Sequence, residues 1–243
     1  MRPGYWLLGI ALAACAQATP TLAPEPARVA VTDLAAPLVA DLVAAYRDTG
    51  DAPSVSVIPL SALTDELQAG RVVLAVTASP SPEHFATPIA LASFAVVVHP
   101  RNPVARLSLA QVRAIFAGEV VDWAQVGGGS GVMVVVTREP NSDGALAFAS
   151  AAGIEVAPPA SARLAPTWAA MRELVAESPG AIGFVPAPEL SGEVKAVELD
   201  AELRALLVAT ALSEPTGPAR DFLAWAQSEA GQRVVARQYE RVK

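Results

Sequence analysis

The sequence predicts an α/β fold, because short β-branched runs alternate with helical patterns along most of the chain. Runs rich in valine predict strands over 28–31, 55–58 and 72–76, and helices are predicted over 37–49 and around 64–69. The second and third strands are short, continuous and apolar, as buried strands of parallel sheets are. We therefore expect this part of the chain to form an α/β lobe.

The same alternation continues to the C-terminus. A longer apolar strand is expected over 91–98, and a capping box formed by Ser108 and Gln111 opens a helix that stops at Gly118. The further expected elements are strands over 132–137, 181–185 and 203–210, helices over 144–153 and 167–177, and an amphipathic helical pattern that runs to the C-terminus.

Composition excludes several classes of function. The chain has 243 residues, is 53% hydrophobic and 17% charged, and carries a net charge of −7. This charge argues against nucleic acid or an acidic membrane surface as a partner. The chain has two histidines and one cysteine and lacks the common nucleophile, zinc-protease and phosphate-loop motifs. We therefore expect no enzymatic activity, no metal site and no cofactor.

The N-terminus is typical of a bacterial lipoprotein. Arg2 precedes a short apolar run over 6–14, as in a secretory signal, and Leu12-Ala13-Ala14-Cys15 matches the lipobox, whose cysteine is lipidated. We expect a signal peptide over 1–14 and a lipidated tether over 15–27, which is rich in Ala, Thr and Pro. The folded part should then lie outside the cell membrane, anchored to it through Cys15.

The turn after the strand over 132–137 has the composition of an anion site. Arg138 and Ser142 precede a helix that starts near Gly144, so a guanidinium, a hydroxyl and backbone N–H groups would point to one place. The same pattern also occurs without a ligand, when Asn-Ser-Asp only caps the helix and the arginine pairs with a surface carboxylate such as Glu139. The turn alone leaves both interpretations open.

A set of short motifs resembles one known family. The motifs are the Asn-Pro pair within 94–104, Ile115-Phe116-Ala117-Gly118, Asp122-Trp123, Thr137-Arg138-Glu139, the strand over 181–185, and Gly217-Pro218 with Phe222 and Gly231-Gln232. In this order and spacing they resemble the phosphate-type substrate-binding proteins of bacterial ABC importers. The similarity extends over 29–242 and is most specific over 90–148.

The resemblance implies a type II periplasmic-binding-protein fold, in which two α/β lobes are joined by hinge strands with a ligand cleft between them. Lobe 1 would comprise residues 28–95 and 206–243, and lobe 2 residues 96–205. The resemblance also implies inorganic phosphate or a similar oxyanion as the ligand, bound by hinge closure. The permease subunits of an ABC importer would be the protein partners.

Candidate ligand-binding residues follow from the same resemblance. In the family, this segment consists of an arginine, two variable residues and Gly-Ser-Gly-Thr, and its arginine, hydroxyls and backbone amides hold the oxyanion. Arg138 and Ser142 match this pattern, whereas Asn141, Asp143 and Gly144 differ. The family's aspartate, which accepts protons of bound phosphate, falls near Leu74, where this chain has no carboxylate. The full candidate set is Thr32, Asp33, Thr77, Ser79, Arg138, Asn141, Ser142, Asp143 and Gly144.

Two carboxylates, Asp33 and Asp143, separate the candidate site from the family pattern. A carboxylate about 4 Å from a phosphate charge would oppose binding by up to roughly 4 kcal/mol at an effective dielectric constant near 20. Each could instead cap a helix and point to solvent, or accept a ligand proton in place of the missing aspartate. Two functions therefore stay open: an oxyanion receptor for an importer, or an extracytoplasmic sensor or interaction domain with an eroded ligand site.

Overall fold

The structure, a computed structural model, describes residues 26–155 and 158–242. The predicted signal peptide, Cys15 and most of the predicted tether lie outside the described residues. The helices are α1 (Ala36–Tyr46), α2 (Leu60–Gln68), α3 (Leu109–Phe116), α4 (Asp143–Ala152), α5 (Trp168–Glu177), α6 (Gly217–Gln227) and α7 (Glu229–Val235). None of these helices is long and apolar enough to cross a membrane.

The strands are β1 (Arg28–Val31), β2 (Ser54–Val57), β3 (Leu74–Thr77), β4 (Phe85–Val98), β5 (Arg106–Leu107), β6 (Val134–Thr137), β7 (Arg163–Leu164), β8 (Ala181–Pro186), β9 (Lys195–Ala196), β10 (Glu198–Leu199), β11 (Leu203–Ala211) and β12 (Glu240–Arg241). Most of them form one sheet in the order β2-β1-β3-β11-β4-β8-β6-β7, with β9 and β12 also paired to β4. The group β2-β1-β3 is parallel, as is β8-β6-β7. Between these groups, β4 and β11 run antiparallel to their neighbours.

Strands β4 and β11 connect the two parallel groups. β4 is 14 residues long, and its last residues pair with β8 while the rest pairs with β11. The pairing of β11 with β4 shifts register between Leu207 and Val208. Both predicted lobe boundaries, at 95/96 and 205/206, fall inside these strands. The division into lobe 1 (28–95 and 206–243) and lobe 2 (96–205) remains a proposal, with β4 and β11 as its hinge strands.

An aromatic cluster fixes helix α4 against the sheet. The ring of Phe148 in α4 stacks on Phe184 of β8, with ring centroids 3.8 Å apart and planes 5° from parallel. Phe94 and Phe116 contact this pair edge-on. Because all four rings are buried, α4 cannot slide along β8 without opening a cavity. This packing determines where the N-terminus of α4 lies.

The elements occur in the predicted order, with differences in burial and extent. The prediction that the second strand is buried is wrong: β2 is an edge strand, and Val55 and Val57 are 39% and 61% exposed. The third strand ends at Thr77 rather than at residue 76, and the strand predicted from residue 91 begins at Phe85. The extra length of β4 is the part that pairs with the C-terminal end of β11.

Candidate functional site

A pocket of about 490 Å³ opens where strands β1, β2 and β6 end. Six of the predicted site residues line it, because Thr32 and Asp33 follow β1 and the turn after β6 carries the others. The lining residues are Thr32, Asp33, Val57, Ile58, Pro59, Leu60, Ser61, Arg138, Glu139, Asn141, Ser142, Asp143 and Pro166. The pocket therefore combines a polar end with an apolar wall from residues 57–60.

The carboxylate of Asp143 is the centre of the polar end. Its Oδ2 accepts a hydrogen bond from the Thr32 hydroxyl at 2.5 Å, and its Oδ1 accepts one from the Thr77 hydroxyl at 2.8 Å. The backbone N–H of Ala78 donates to both oxygens, at 2.9 and 3.2 Å. Asp143 is only 1% exposed, so these bonds replace the water that a carboxylate otherwise requires.

The local sequence explains why Asp143 can reach these donors. Ser142 is the N-cap of α4: its hydroxyl accepts from the Ala145 N–H at 3.3 Å and donates to the Glu139 carbonyl at 2.7 Å. Asp143 is the first helical residue, so its side chain is free to leave the helix. The helix N-terminus favours a negative charge at this position. Of the alternatives left open for Asp143, the one in which it caps the helix and points to solvent is wrong, because Ser142 caps the helix and Asp143 is buried.

Arg138 is the buried cation of the site. The residue is 5% exposed, its Nη1 donates to the Ala165 carbonyl at 3.0 Å, and its Nη2 pairs with the Asp33 carboxylate. Its guanidinium carbon lies 4.6 Å from the centroid of the Trp168 ring. The alternative in which Arg138 pairs with Glu139 on the surface is not what the structure shows. The expectation that Asp33 caps a helix and points to solvent is likewise wrong, because its carboxylate pairs with Arg138.

Burial sets the direction of both pKa shifts in this pair. Desolvation raises the pKa of Asp33, the attraction of Arg138 opposes that rise, and the nearby Asp143 carboxylate adds to it. Desolvation also lowers the pKa of Arg138, against the attraction of Asp33 and Glu139. The cost of removing both charges from water thus outweighs their mutual attraction, as it can in a buried ion pair.

The remaining predicted residues take supporting positions. Gly144 packs on Trp168 so closely that an added Cβ would lie 2.5 Å from the indole ring. Ser79 donates its backbone N–H to the Thr77 hydroxyl oxygen at 3.0 Å. Asn141 lines the pocket. The position near Leu74, to which the resemblance assigns an aspartate, is buried inside β3, and the strand end that reaches the site is Thr77 and Ala78.

Sequence reasoning missed the backbone N–H of Ala78 and the ring of Trp168. Trp168 is the first residue of α5, after its N-cap Thr167, and its ring lies 4.6 Å from the guanidinium carbon of Arg138. An alanine that acts through its backbone carries no side-chain signal. A tryptophan at the start of a helix can be recognised in the sequence, but the residue that it contacts, Arg138, lies 30 positions earlier in the chain.

Comparison with known proteins assigns the family. A family model described as a PBP superfamily domain matches residues 16–217. The chain belongs to this superfamily. Membership confirms the predicted resemblance, and it agrees with a binding protein rather than an enzyme.

Individual relatives of the superfamily carry names that refer to phosphate. The chain is 27% identical over 161 residues to the phosphate-binding protein PstS of Bacillus subtilis. The alignment covers 60% of this chain and 53% of that protein. The chain thus spans about half the length of the curated relative it matches.

Solved structures confirm the type II periplasmic-binding-protein fold. A candidate phosphate ABC transporter substrate-binding protein with bound phosphate from Clostridium perfringens aligns with a TM-score of 0.80 and 22% identity, covering 90% of this chain and 100% of that chain. An ABC-type phosphate transport receptor from Vibrio cholerae aligns with a TM-score of 0.73 and 22% identity, covering 89% and 100%. At these identities the likeness shows the fold alone.

Thr77→Val should destabilise the protein because it removes a donor from a buried carboxylate. We expect the free energy of unfolding to fall by about 1.5–3 kcal/mol, the range for hydrogen bonds to charged groups. Urea denaturation measures the change, and Thr77→Ser, which keeps the hydroxyl, is the matched control. Equal stability of the valine and serine variants would show that the bond to Asp143 contributes nothing.

The raised pKa of Asp33 predicts a pH-dependent contribution to stability. The folded protein keeps the Asp33 proton to higher pH than the unfolded chain does. The free energy of unfolding should therefore fall as the pH rises from 3.8, the ordinary value, through the raised pKa. Asp33→Asn cannot titrate and should lack this loss. Thermal melts of both proteins from about pH 3.5 to 7 test this: the melting temperature of the wild type relative to the variant should decline with pH, and a constant difference would contradict the expectation.

Proposed function

We propose that the chain is a lipid-anchored extracytoplasmic receptor that captures phosphate or a related oxyanion and delivers it to an ABC importer. The observation that supports this most is the convergence of the Thr32 and Thr77 hydroxyls and the Ala78 N–H on the carboxylate of Asp143. A carboxylate is itself an oxyanion. Donors that hold one already have the spacing and direction that an oxyanion ligand needs.

Arg138 supports the same conclusion because it has unused donor capacity. Its Nη atoms are engaged, but its buried Nε finds no hydrogen-bond partner among the described residues. A guanidinium can hold two oxygens of one anion with its planar fork of donors. Arg138 would therefore be the main cationic contact for a ligand that replaced Asp33.

The relatives support phosphate as the ligand and an importer as the partner. The Bacillus relative is named as a phosphate-binding protein, and the Clostridium structure contains bound phosphate. In the proposed mechanism, lobe 1 and lobe 2 close about β4 and β11 as periplasmic binding proteins do, and the ligand is enclosed between them. The permease subunits would then distinguish the loaded shape from the empty one.

A second candidate function has an observation of its own. Asp143 and Asp33 already occupy the donors that an oxyanion would use. This favours an extracytoplasmic sensor or interaction domain whose ligand site has eroded. The two functions differ in one measurable property, which is whether the wild-type protein binds a free oxyanion.

Arg138→Ala should abolish oxyanion binding. The loss of a buried charged hydrogen-bonding partner is expected to cost about 2–5 kcal/mol of binding free energy. Isothermal calorimetry with phosphate, sulfate, arsenate and molybdate measures this, and circular dichroism checks the fold. Arg204→Ala removes a partly exposed arginine of β11 and serves as the control. If the wild type binds none of these anions at millimolar concentration, the transport function is wrong and the second candidate replaces it.

Cys15→Ser should release the protein from the membrane. A lipidated cysteine carries two or more acyl chains, which anchor a protein stably, whereas a single chain binds only reversibly. Fractionation of cells that express the wild type and the variant, with mass spectrometry of the mature N-terminus, measures the effect. Membrane retention of a correctly cleaved variant would contradict lipid anchoring.

A further inference from the structure

Two contacts cross the cleft in opposite directions. Asp143 belongs to the 96–205 part of the chain and accepts hydrogen bonds from Thr32, Thr77 and Ala78, which belong to the 28–95 part. Asp33, from the 28–95 part, pairs with Arg138 of the other part. Each carboxylate therefore occupies the anion-binding donors of the opposite side. We call Asp33 and Asp143 the crossed carboxylates.

The geometry around Asp143 leaves no room for simple addition of a ligand. Both oxygens of its carboxylate are hydrogen-bonded, and Thr32, Thr77 and Asp143 are each at most 1% exposed. The two hydroxyls each have one proton to donate, and each gives it to Asp143. A free anion can reach these donors only after Asp143 has left them.

We propose that the crossed carboxylates are a tethered occupant of the oxyanion site, and that a free oxyanion binds only by displacing them. This inference rests on the proposed function and adds a rule of selectivity to it. An anion with one carboxylate, such as acetate, only reproduces the contacts of Asp143. A tetrahedral oxyanion offers oxygens to the Asp143 donors and to Arg138 together, so it can compete with both tethered groups at once.

The expected size of the effect follows from population arithmetic. A protein whose binding-competent state is populated to only a fraction of its molecules shows an affinity lowered by that fraction. Minor states of folded proteins are populated at about 0.1–10%. Removal of the Asp143 carboxylate should therefore lower the Kd for phosphate by about 10- to 1,000-fold.

The test compares Asp143→Ala with Asp221→Ala. Both changes remove one negative charge, but Asp221 lies exposed on α6, away from the pocket. Calorimetry with inorganic phosphate should show at least tenfold tighter binding for Asp143→Ala and an unchanged Kd for Asp221→Ala. Acetate should bind neither the wild type nor Asp221→Ala. Asp143→Gly also removes the carboxylate and replaces the alanine variant if the latter does not fold.

Small-angle scattering separates failure of this inference from failure of the proposed function. Without the carboxylate, the ligand-free Asp143→Ala protein should be larger than the ligand-free wild type and should contract when phosphate is added. If the wild type binds phosphate and Asp143→Ala binds it equally or more weakly, displacement is wrong. If no variant binds any oxyanion, the proposed function is wrong. In that case an expanded Asp143→Ala protein still supports the tethered occupant, and an unchanged radius overturns it.

Discussion

The burial of one carboxylate constrains the rest of the site. A carboxylate that is 1% exposed must exchange its water for protein donors, because burying it without hydrogen bonds would cost free energy. Asp143 finds those donors at the ends of β1 and β3, far from it in sequence. These bonds therefore hold the N-terminus of α4 against the two strand ends in the ligand-free structure. The stacked rings of Phe148 and Phe184 hold the other face of the same helix to β8.

The surroundings of Arg138 depend on the same helix. Gly144 lets the Trp168 ring approach the backbone of α4, because any side chain there would collide with the indole. Trp168 in turn covers the guanidinium of Arg138, which removes it from water and makes the pairing with Asp33 necessary. Asp143, Gly144, Trp168 and Arg138 thus form one connected arrangement, in which a change at α4 reaches the cation through the indole.

The fold could be predicted from the sequence more completely than the site could. Valine-rich runs and the capping box at Ser108 predict the order of helices and strands, because the local spacing of apolar residues indicates the type of each element. The exposure of β2 could not be predicted from its sequence, because it results from the position of this strand at the edge of the sheet, and that position depends on the order of all the strands. The sequence left the role of Asp143 open between helix capping and a place in the ligand site, and the structure assigns the cap to Ser142. Adjacent residues at a helix start differ in direction by about 100° around the axis, and the donors that attract Asp143 lie 65 or more positions away.

The placement of the carboxylate on α4 decides how the site can work. The strand end at Thr77 and Ala78 carries no acidic side chain, and Asp143 brings one to it from helix α4. A carboxylate on the same strand would move together with its donors and stay paired in every arrangement. A carboxylate on α4 separates from these donors if α4 moves away from the end of β3, which is the movement that the proposed displacement requires. Asp33 pairs with Arg138, and Asp143 occupies the donors of Thr32, Thr77 and Ala78, so a further anion would add a third negative charge to this site. An anion that bound here would therefore exchange with a carboxylate, as we propose.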